Sequence, residues 1–182
     1  YVSRWGHLSI DGQGLSTVNG DPQSKRGNPH LFNKLAKALR DAINTANSSL
    51  GSDTITFALG TNKTISLLSL LPSINETLIL NGRSQAGYVA TPLVIIDGTA
   101  TIGGTGIDIG ASASGSQVLG LEIRNFDQYG INVAPSFVLV SGNTITGNQF
   151  GIFVSGDNVT VGEAGNAWGV NVISANTIDG IN

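Results

Sequence analysis

Four Gly-Ile dipeptides, beginning at Gly106, Gly130, Gly151 and Gly180, divide the second half of this chain into intervals of 24, 21 and 29 residues. The segments that carry the last three are imperfect copies of one another: LEIRNFDQYGIN at 121–132, NTITGNQFGIF at 143–153 and NVISANTIDGIN at 171–182. The final interval is long because residues 162–169, GEAGNAWG, read as an inserted loop. A period of twenty-odd residues, built of short β-branched runs punctuated by Gly and Asn, suits a coil in which each turn stacks on the one before. The leucine-rich repeat shares this period but needs a Leu-x-x-Leu-x-Leu frame that is absent here. The pattern predicts an all-β chain wound as a parallel β-helix.

Composition agrees. Gly supplies 25 of 182 residues, about twice the average usage, and charged residues make up 12%, about half of it. Such a backbone turns often, yet with 40% hydrophobic residues it can bury a core, and its length suits one domain. The net charge is −3 and the nine basic residues are scattered, with only Lys25 and Arg26 adjacent, so no nucleic-acid partner is expected. No apolar run approaches a membrane span. The chain contains no Cys and begins at Tyr1 without a charged-then-apolar leader, which reads as a processed or excised piece whose signal peptide has been removed.

Within the single domain three stretches are distinguished: an extended segment over 1–27, a capping helix over 28–50 and the β-helix over 51–182. The extended segment holds strand-like runs at 7–10 and 15–18 around the turn signal Asp11-Gly12-Gln13-Gly14, and is broken at Gly20-Asp21-Pro22. The helix is signalled by Asn28 as N-cap, Pro29 at the first helical position, and Phe32, Leu35, Leu39, Ala42, Ile43 and Ala46 at helical spacing. A β-helix exposes an apolar end and unpaired strand edges at its first turn, and an amphipathic helix over 31–46 would cover them. Strands are predicted at 54–59, 64–68, 76–80, 93–96, 106–109, 118–123, 130–133, 137–140, 143–146, 151–154, 159–161 and 170–173. They amount to roughly six turns at about 4.8 Å each. Asn125, Asn148 and Asn176 follow equivalent strands and are read either as a stacked ladder at one corner or as ordinary turn asparagines.

The runs LRDAI (39–43), DTITF (53–57), TLILNG (77–82), SQAGYVATP (84–92), VIIDG (94–98) and NVISAN (171–176), in this order and spacing, resemble the bacterial secreted right-handed parallel β-helix proteins of the pectate-lyase-like superfamily. The likeness is to the surface or adhesin-like branch with an N-terminal helical cap and NVISGN-type repeats, and it runs from about Leu15 to Asn182. It implies a right-handed coil located outside the cell or on its surface. Function follows loosely, since such folds host structural, adhesive and polysaccharide-active members. The chain departs from the pattern in having Lys37-Ala38 before LRDAI, an extra stretch over 1–8, and a coil that stops at Gly180-Ile181-Asn182 without a polar terminal cap.

An apolar, unpaired end should pair with something, which points to end-to-end self-association into filaments or a surface layer. The residues expected to carry it are Tyr1, Val2, Trp5, Leu8 and Ile10 at one end, as a strand donor or as a strand on their own coil, and Val172, Ile173, Ile178 and Ile181 at the other.

The rival reading is a polysaccharide lyase or hydrolase, which needs clustered or paired carboxylates, for a lyase with a cation and a basic residue. The candidate acids Asp97, Asp108, Glu122, Asp127, Asp157, Glu163 and Asp179 include no adjacent pair, and Arg124 is the only basic residue after Arg83. No catalytic residue is assigned. His7 and His30 lie in different segments and make no metal pair, and no Gly-x-Ser-x-Gly elbow or dinucleotide loop is present. No cofactor or metal ligand is expected from the residues themselves; calcium is the one cation that the lyase reading would bring. For a carbohydrate or other surface ligand the candidate contacts are Tyr88, Tyr129 and Trp168, because sugar faces stack on flat rings. Four Asn-x-Ser/Thr sequons, at Asn47, Asn62, Asn75 and Asn158, are expected to be bare in a bacterial host.

Overall fold

The structure, a computed structural model, describes residues 6–11, 14–16 and 30–182. Tyr1, Val2 and Trp5, together with Gly12 and Gln13 of the expected turn and Asn28 and Pro29 of the expected helix start, lie outside the described residues.

Short strands wind into a parallel β-solenoid with three faces. One face stacks β3 (Asp53–Ala58), β5 (Leu78–Asn81), β8 (Gln117–Leu119), β11 (Leu139–Ser141) and β14 (Thr160–Val161). The second stacks β4 (Thr64–Ser66), β6 (Val94–Asp97), β9 (Leu121–Arg124), β12 (Thr144–Thr146) and β15 (Val172–Ser174). The third stacks β7 (Ile107–Ile109), β10 (Tyr129–Val133), β13 (Phe150–Val154) and β16 (Asp179–Ile181). Beyond β3 the first face continues with β1 (Gly6–Asp11), parallel to β3, and β2 (Gly14–Ser16), antiparallel to β1.

Register builds the core. Ile55, Leu80, Val118, Val140 and Val161 stack on the first face, and Ile65, Ile96, Ile123, Ile145 and Ile173 on the second. On the third face Ile107, Ile131, Ile152 and Ile181 stack, and these are the isoleucines of the four Gly-Ile dipeptides. Each aliphatic side chain sealed in such a stack contributes about 1.5–3 kcal/mol of burial. The preceding glycine has its own cause, the close approach of one coil to the next. A Cβ on Gly106 would stand 2.6 Å from the Gly130 carbonyl oxygen, one on Gly130 2.8 Å from that of Gly151, and one on Gly151 would overlap that of Gly180.

Five coils form where about six were expected. The core residue of the first face recurs after 25 residues from Ile55 to Leu80, 38 from Leu80 to Val118, 22 to Val140 and 21 to Val161. The second coil therefore absorbs 16 residues more than the next, most of a turn, in the 3-10 turn Gly82–Ser84 with the loop after it and in the bends over 98–106. A second difference concerns 118–123, read as one strand. Gly120 takes φ +63° there and turns the chain from the first face to the second, between β8 and β9.

Helix α1 (His30–Asn47) buries Leu35, Leu39, Ala42, Ile43 and Ala46 and leaves Lys34 and Lys37 in solvent. It packs on β1, β2 and β4, over the first coil. Polar ties fix its last turns: Arg40 Nη2 donates to the carbonyls of Ser69 (2.9 Å) and Leu70 (3.3 Å). Asn47 donates to the Ser73 carbonyl and accepts from the Asn75 amide, both at 2.8 Å. The expected capping role of the helix is what the packing shows.

Candidate functional site

All three faces reach the last coil of this sequence in β14, β15 and β16, whose open edge has no further strand beside it among the described residues. There Val172, Ile178 and Ile181 are 52%, 56% and 53% exposed, while Ile173 and Val161 are only partly covered by the core they continue. The other candidate end differs. Ile10 is fully buried and Leu8 sits in register with Ile55, so the described part of the first ten residues lies on its own coil along β3.

Two asparagine ladders run up to the open edge, one more than the sequence suggested. At the corner between the second and third faces, Asn148 donates from Nδ2 to the Ile123 carbonyl and the Asn176 Oδ1, and its own amide donates to that same Oδ1 (3.0 Å). At the corner between the first and second faces, Asn143 and Asn171 repeat the arrangement: the Asn143 amide and Nδ2 donate to Asn171 Oδ1 at 2.9 and 3.2 Å. Asn143 and Asn148 are buried, at 0% and 1% exposure. Asn125 is not a rung. It stands one residue earlier, in the left-handed turn position (φ 62°) shared with Gly147 and Ala175, and donates instead to Asp97 and Thr99. The spacing Asn-x4-Asn in NTITGN and NVISAN was the available signal for both ladders.

The candidate acids scatter over the outside of the coil. On the second face Arg124 grips Asp97 Oδ2 through Nε (3.1 Å) and Nη2 (3.0 Å), and Glu122 Oε1 through Nη1 (2.9 Å). Burial pushes the Asp97 carboxyl up, but hydrogen bonds from Thr99, Asn125 and Arg124 outweigh it and hold the group down to about 2. Asp108 accepts from Asn132 at 2.7 Å, and Asp127 from the Gly103 amide at 2.9 Å. Asp157 and Asp179 are exposed. Among the described residues no three His, Cys, Asp or Glu side chains stand together as metal ligands. The charged groups that do converge neutralise one another, which suits an ion-paired surface.

The inserted loop folds back along the coil, away from the open edge. Glu163 accepts from Arg83 Nη2 (2.9 Å) and from the Ser141 hydroxyl (2.5 Å), and the same guanidinium donates to the Trp168 carbonyl (3.1 Å). The Ser141 hydroxyl, then Arg83, hold the Glu163 carboxyl below its usual range. Trp168 packs edge-on against Tyr88 at 5.7 Å, and Tyr88 is 7% exposed. Of the three candidate ligand contacts, Tyr88 is thus buried and Trp168 latched. Tyr129 sits outside the third face, half-buried, with Phe150 at 5.2 Å and Phe153 at 4.9 Å between ring centroids. The two phenylalanines were missed; once the coil is aligned, Phe150 falls at the Tyr129 register and Phe153 at that of Asn132.

The described helix is not long and apolar enough to cross a membrane. Compared with models of protein families, with curated proteins and with solved structures, the chain matches none of them.

Proposed function

We propose that this chain is a structural or adhesive module of an extracellular or cell-surface assembly, extended end to end by the stacking of coils. The reading rests on one observation: parallel strands stack in register, coil upon coil, with unbroken apolar ladders on all three faces, while the helix covers the first coil. Unpaired strand edges beside exposed aliphatic side chains are what adds another coil, by ladder hydrogen bonds and burial together. The resemblance of LRDAI, DTITF and NVISAN to the bacterial surface branch of the pectate-lyase-like superfamily supports the same reading and its location outside the cell.

In its source cells the chain should be recovered with the surface or matrix fraction, and a Val172→Lys/Ile181→Lys variant should be shed into the medium. Equal partitioning of the two would overturn the proposal. Negative-stain microscopy of the purified chain, with and without residues 1–10, then separates the two routes of extension. Filaments mean that copies of this chain add to one another; dispersed particles mean that the added coil comes from another solenoid.

One observation favours an additional, adhesive contact. The Tyr129, Phe150 and Phe153 rings lie beside the Asn132–Asp108 pair on the outer third face, a combination of flat apolar surface and hydrogen-bonding groups that suits a sugar ring. Phe153→Ala should weaken retention on a polysaccharide gel without changing the fold; unchanged retention removes the contact.

A further inference from the structure

The corner between the first and second faces is turned differently in the last coil than in the two before it. Gly120 alone separates β8 from β9, and Gly142 and Asn143 separate β11 from β12, whereas residues 162–171 stand between β14 and β15. The extra chain closes on itself. The Glu163 amide donates to the Gly169 carbonyl (3.2 Å), the Gly169 amide to that of Asn166 (2.8 Å), the Asn166 amide to that of Glu163 (3.2 Å), and the Trp168 amide to Asn166 Oδ1 (3.0 Å). Gly162, at φ +94°, leads into it. The result is a small self-bonded flap whose grip on the coil is made by Glu163 on Arg83 and Ser141 and by Trp168 on Arg83 and Tyr88.

Beneath the flap the coil offers more donors than the flap uses. Glu163 presents a single oxygen, Oε2, to Arg83 Nη2 (2.9 Å), to the Ser141 hydroxyl (2.5 Å) and to Asn166 Nδ2 (3.2 Å). Arg83 Nε and the Tyr88 hydroxyl are buried and meet no partner among the described residues. Tyr88 is 7% exposed and Ser141 is fully buried. These groups are aimed at one place. A Cβ on Gly142 would stand 3.0 Å from the Tyr88 hydroxyl oxygen and 3.1 Å from Arg83 Nη2, and would overlap the Trp168 carbonyl. Phenol, guanidinium and flap therefore meet over the bare backbone of Gly142. A buried donor without an acceptor is destabilising, and two that converge on an arginine and a tyrosine call for a group that accepts from both.

We propose that the flap covers a binding site for a small carboxylate, in which the Glu163 side chain is the resident occupant, bound through one oxygen. A free carboxylate fits the donor set better than Glu163 does: Nε and Nη2 of Arg83 take its two oxygens as a fork, and the Ser141 and Tyr88 hydroxyls donate to the same oxygens. One cation serves the site, which matches a single negative charge; Arg124, the next basic residue along the chain, is held by Asp97 and Glu122. The site lies under the flap and not along it, which suits a small molecule over a polymer. Binding is an exchange of one carboxylate for another, and it swings Glu163 and Trp168 off the coil.

The test follows Trp168 emission in the full chain carrying Trp5→Phe, titrated with sodium acetate and, at equal ionic strength, with sodium chloride. Acetate should give a saturable red shift as Trp168 leaves Tyr88, and chloride none. Tyr88→Phe keeps the ring that packs on Trp168 and removes only the unpaired hydroxyl, and should weaken acetate binding about tenfold. Glu163→Gln removes the competing charge and should tighten it by about tenfold or more. Calorimetric titration reads both variants whether or not the flap has already moved. Equal responses to acetate and chloride would mean that salt screens the Arg83–Glu163 pair and nothing more, and would overturn the proposal. Binding unchanged by Tyr88→Phe would overturn it as well, since a hydroxyl with a structural role alone alters stability and not affinity, as would binding no tighter in Glu163→Gln. A response to polyglutamate without one to acetate would overturn the small ligand.

Discussion

Replacing Asn148 with alanine removes three hydrogen bonds from a side chain that is 1% exposed. Its Oδ1 holds the Phe126 amide at 3.0 Å, and its Nδ2 reaches the Ile123 carbonyl and Asn176 Oδ1 at 3.3 and 3.2 Å. The Asn176 oxygen keeps the Asn148 amide and Ile123 stays paired in the β9–β12 ladder, so the group left orphaned is the Phe126 N–H, inside the coil. A buried polar group without a partner costs about 1–3 kcal/mol and each of the two other lost bonds about 0.5–1.5 kcal/mol, which puts the variant at about 3 kcal/mol. In a chain of this length that lowers Tm by roughly 6–12 °C. Asn176→Ala breaks the same kinds of bond one coil later, where the side chain is only half-buried and water can replace it, so about 1 kcal/mol is expected. Asn44→Ala, on the exposed side of α1, should change stability by less than about 0.5 kcal/mol. Urea unfolding followed by far-ultraviolet circular dichroism measures all three. A loss below about 1 kcal/mol for Asn148→Ala, or equal losses for Asn148 and Asn176, would refute the claim that burial gives the inner rung its weight.

Gly151→Ala should cost about 2–3 kcal/mol, because its Cβ would overlap the Gly180 carbonyl and stand 2.7 Å from Ile173 Cγ2, whereas Gly103→Ala, with nothing within 4 Å, should cost about 1 kcal/mol through its φ of +57° alone. Asp97 titrates at about 2 in the folded chain against an ordinary 3.8, so its contribution, about 2 kcal/mol, is present above pH 4 and is lost as pH falls from about 4 to 2. Asp97→Asn should remove that part of the acid dependence, and identical pH profiles of stability for the two proteins would contradict it. Arg83→Ala should release the inserted loop, seen as a red shift of Trp168 emission in a Trp5→Phe background and as new protease cleavage within 163–169; an unmoved spectrum would mean that Tyr88 alone holds Trp168. Incubation with a polyuronate and calcium should give no unsaturated product, and its appearance would revive the enzyme reading.

The Gly-Ile frame was legible because it is set by a local need met at every coil: an isoleucine for the stack and, before it, a residue without a Cβ where backbones touch. The helix was legible for the same reason, since its apolar face repeats within itself. What escaped depends on phase. Asn125 follows its strand as Asn148 and Asn176 follow theirs, yet it falls one residue short, in the left-handed turn position, and a one-residue offset at a corner decides whether a side chain enters the coil or leaves it. The second ladder was hidden by the reading of 118–123 as a single strand, which removed the corner at Gly120 where that ladder begins. Contacts between coils of unequal length, such as Arg83 with Glu163 across 80 positions, have no fixed spacing to betray them.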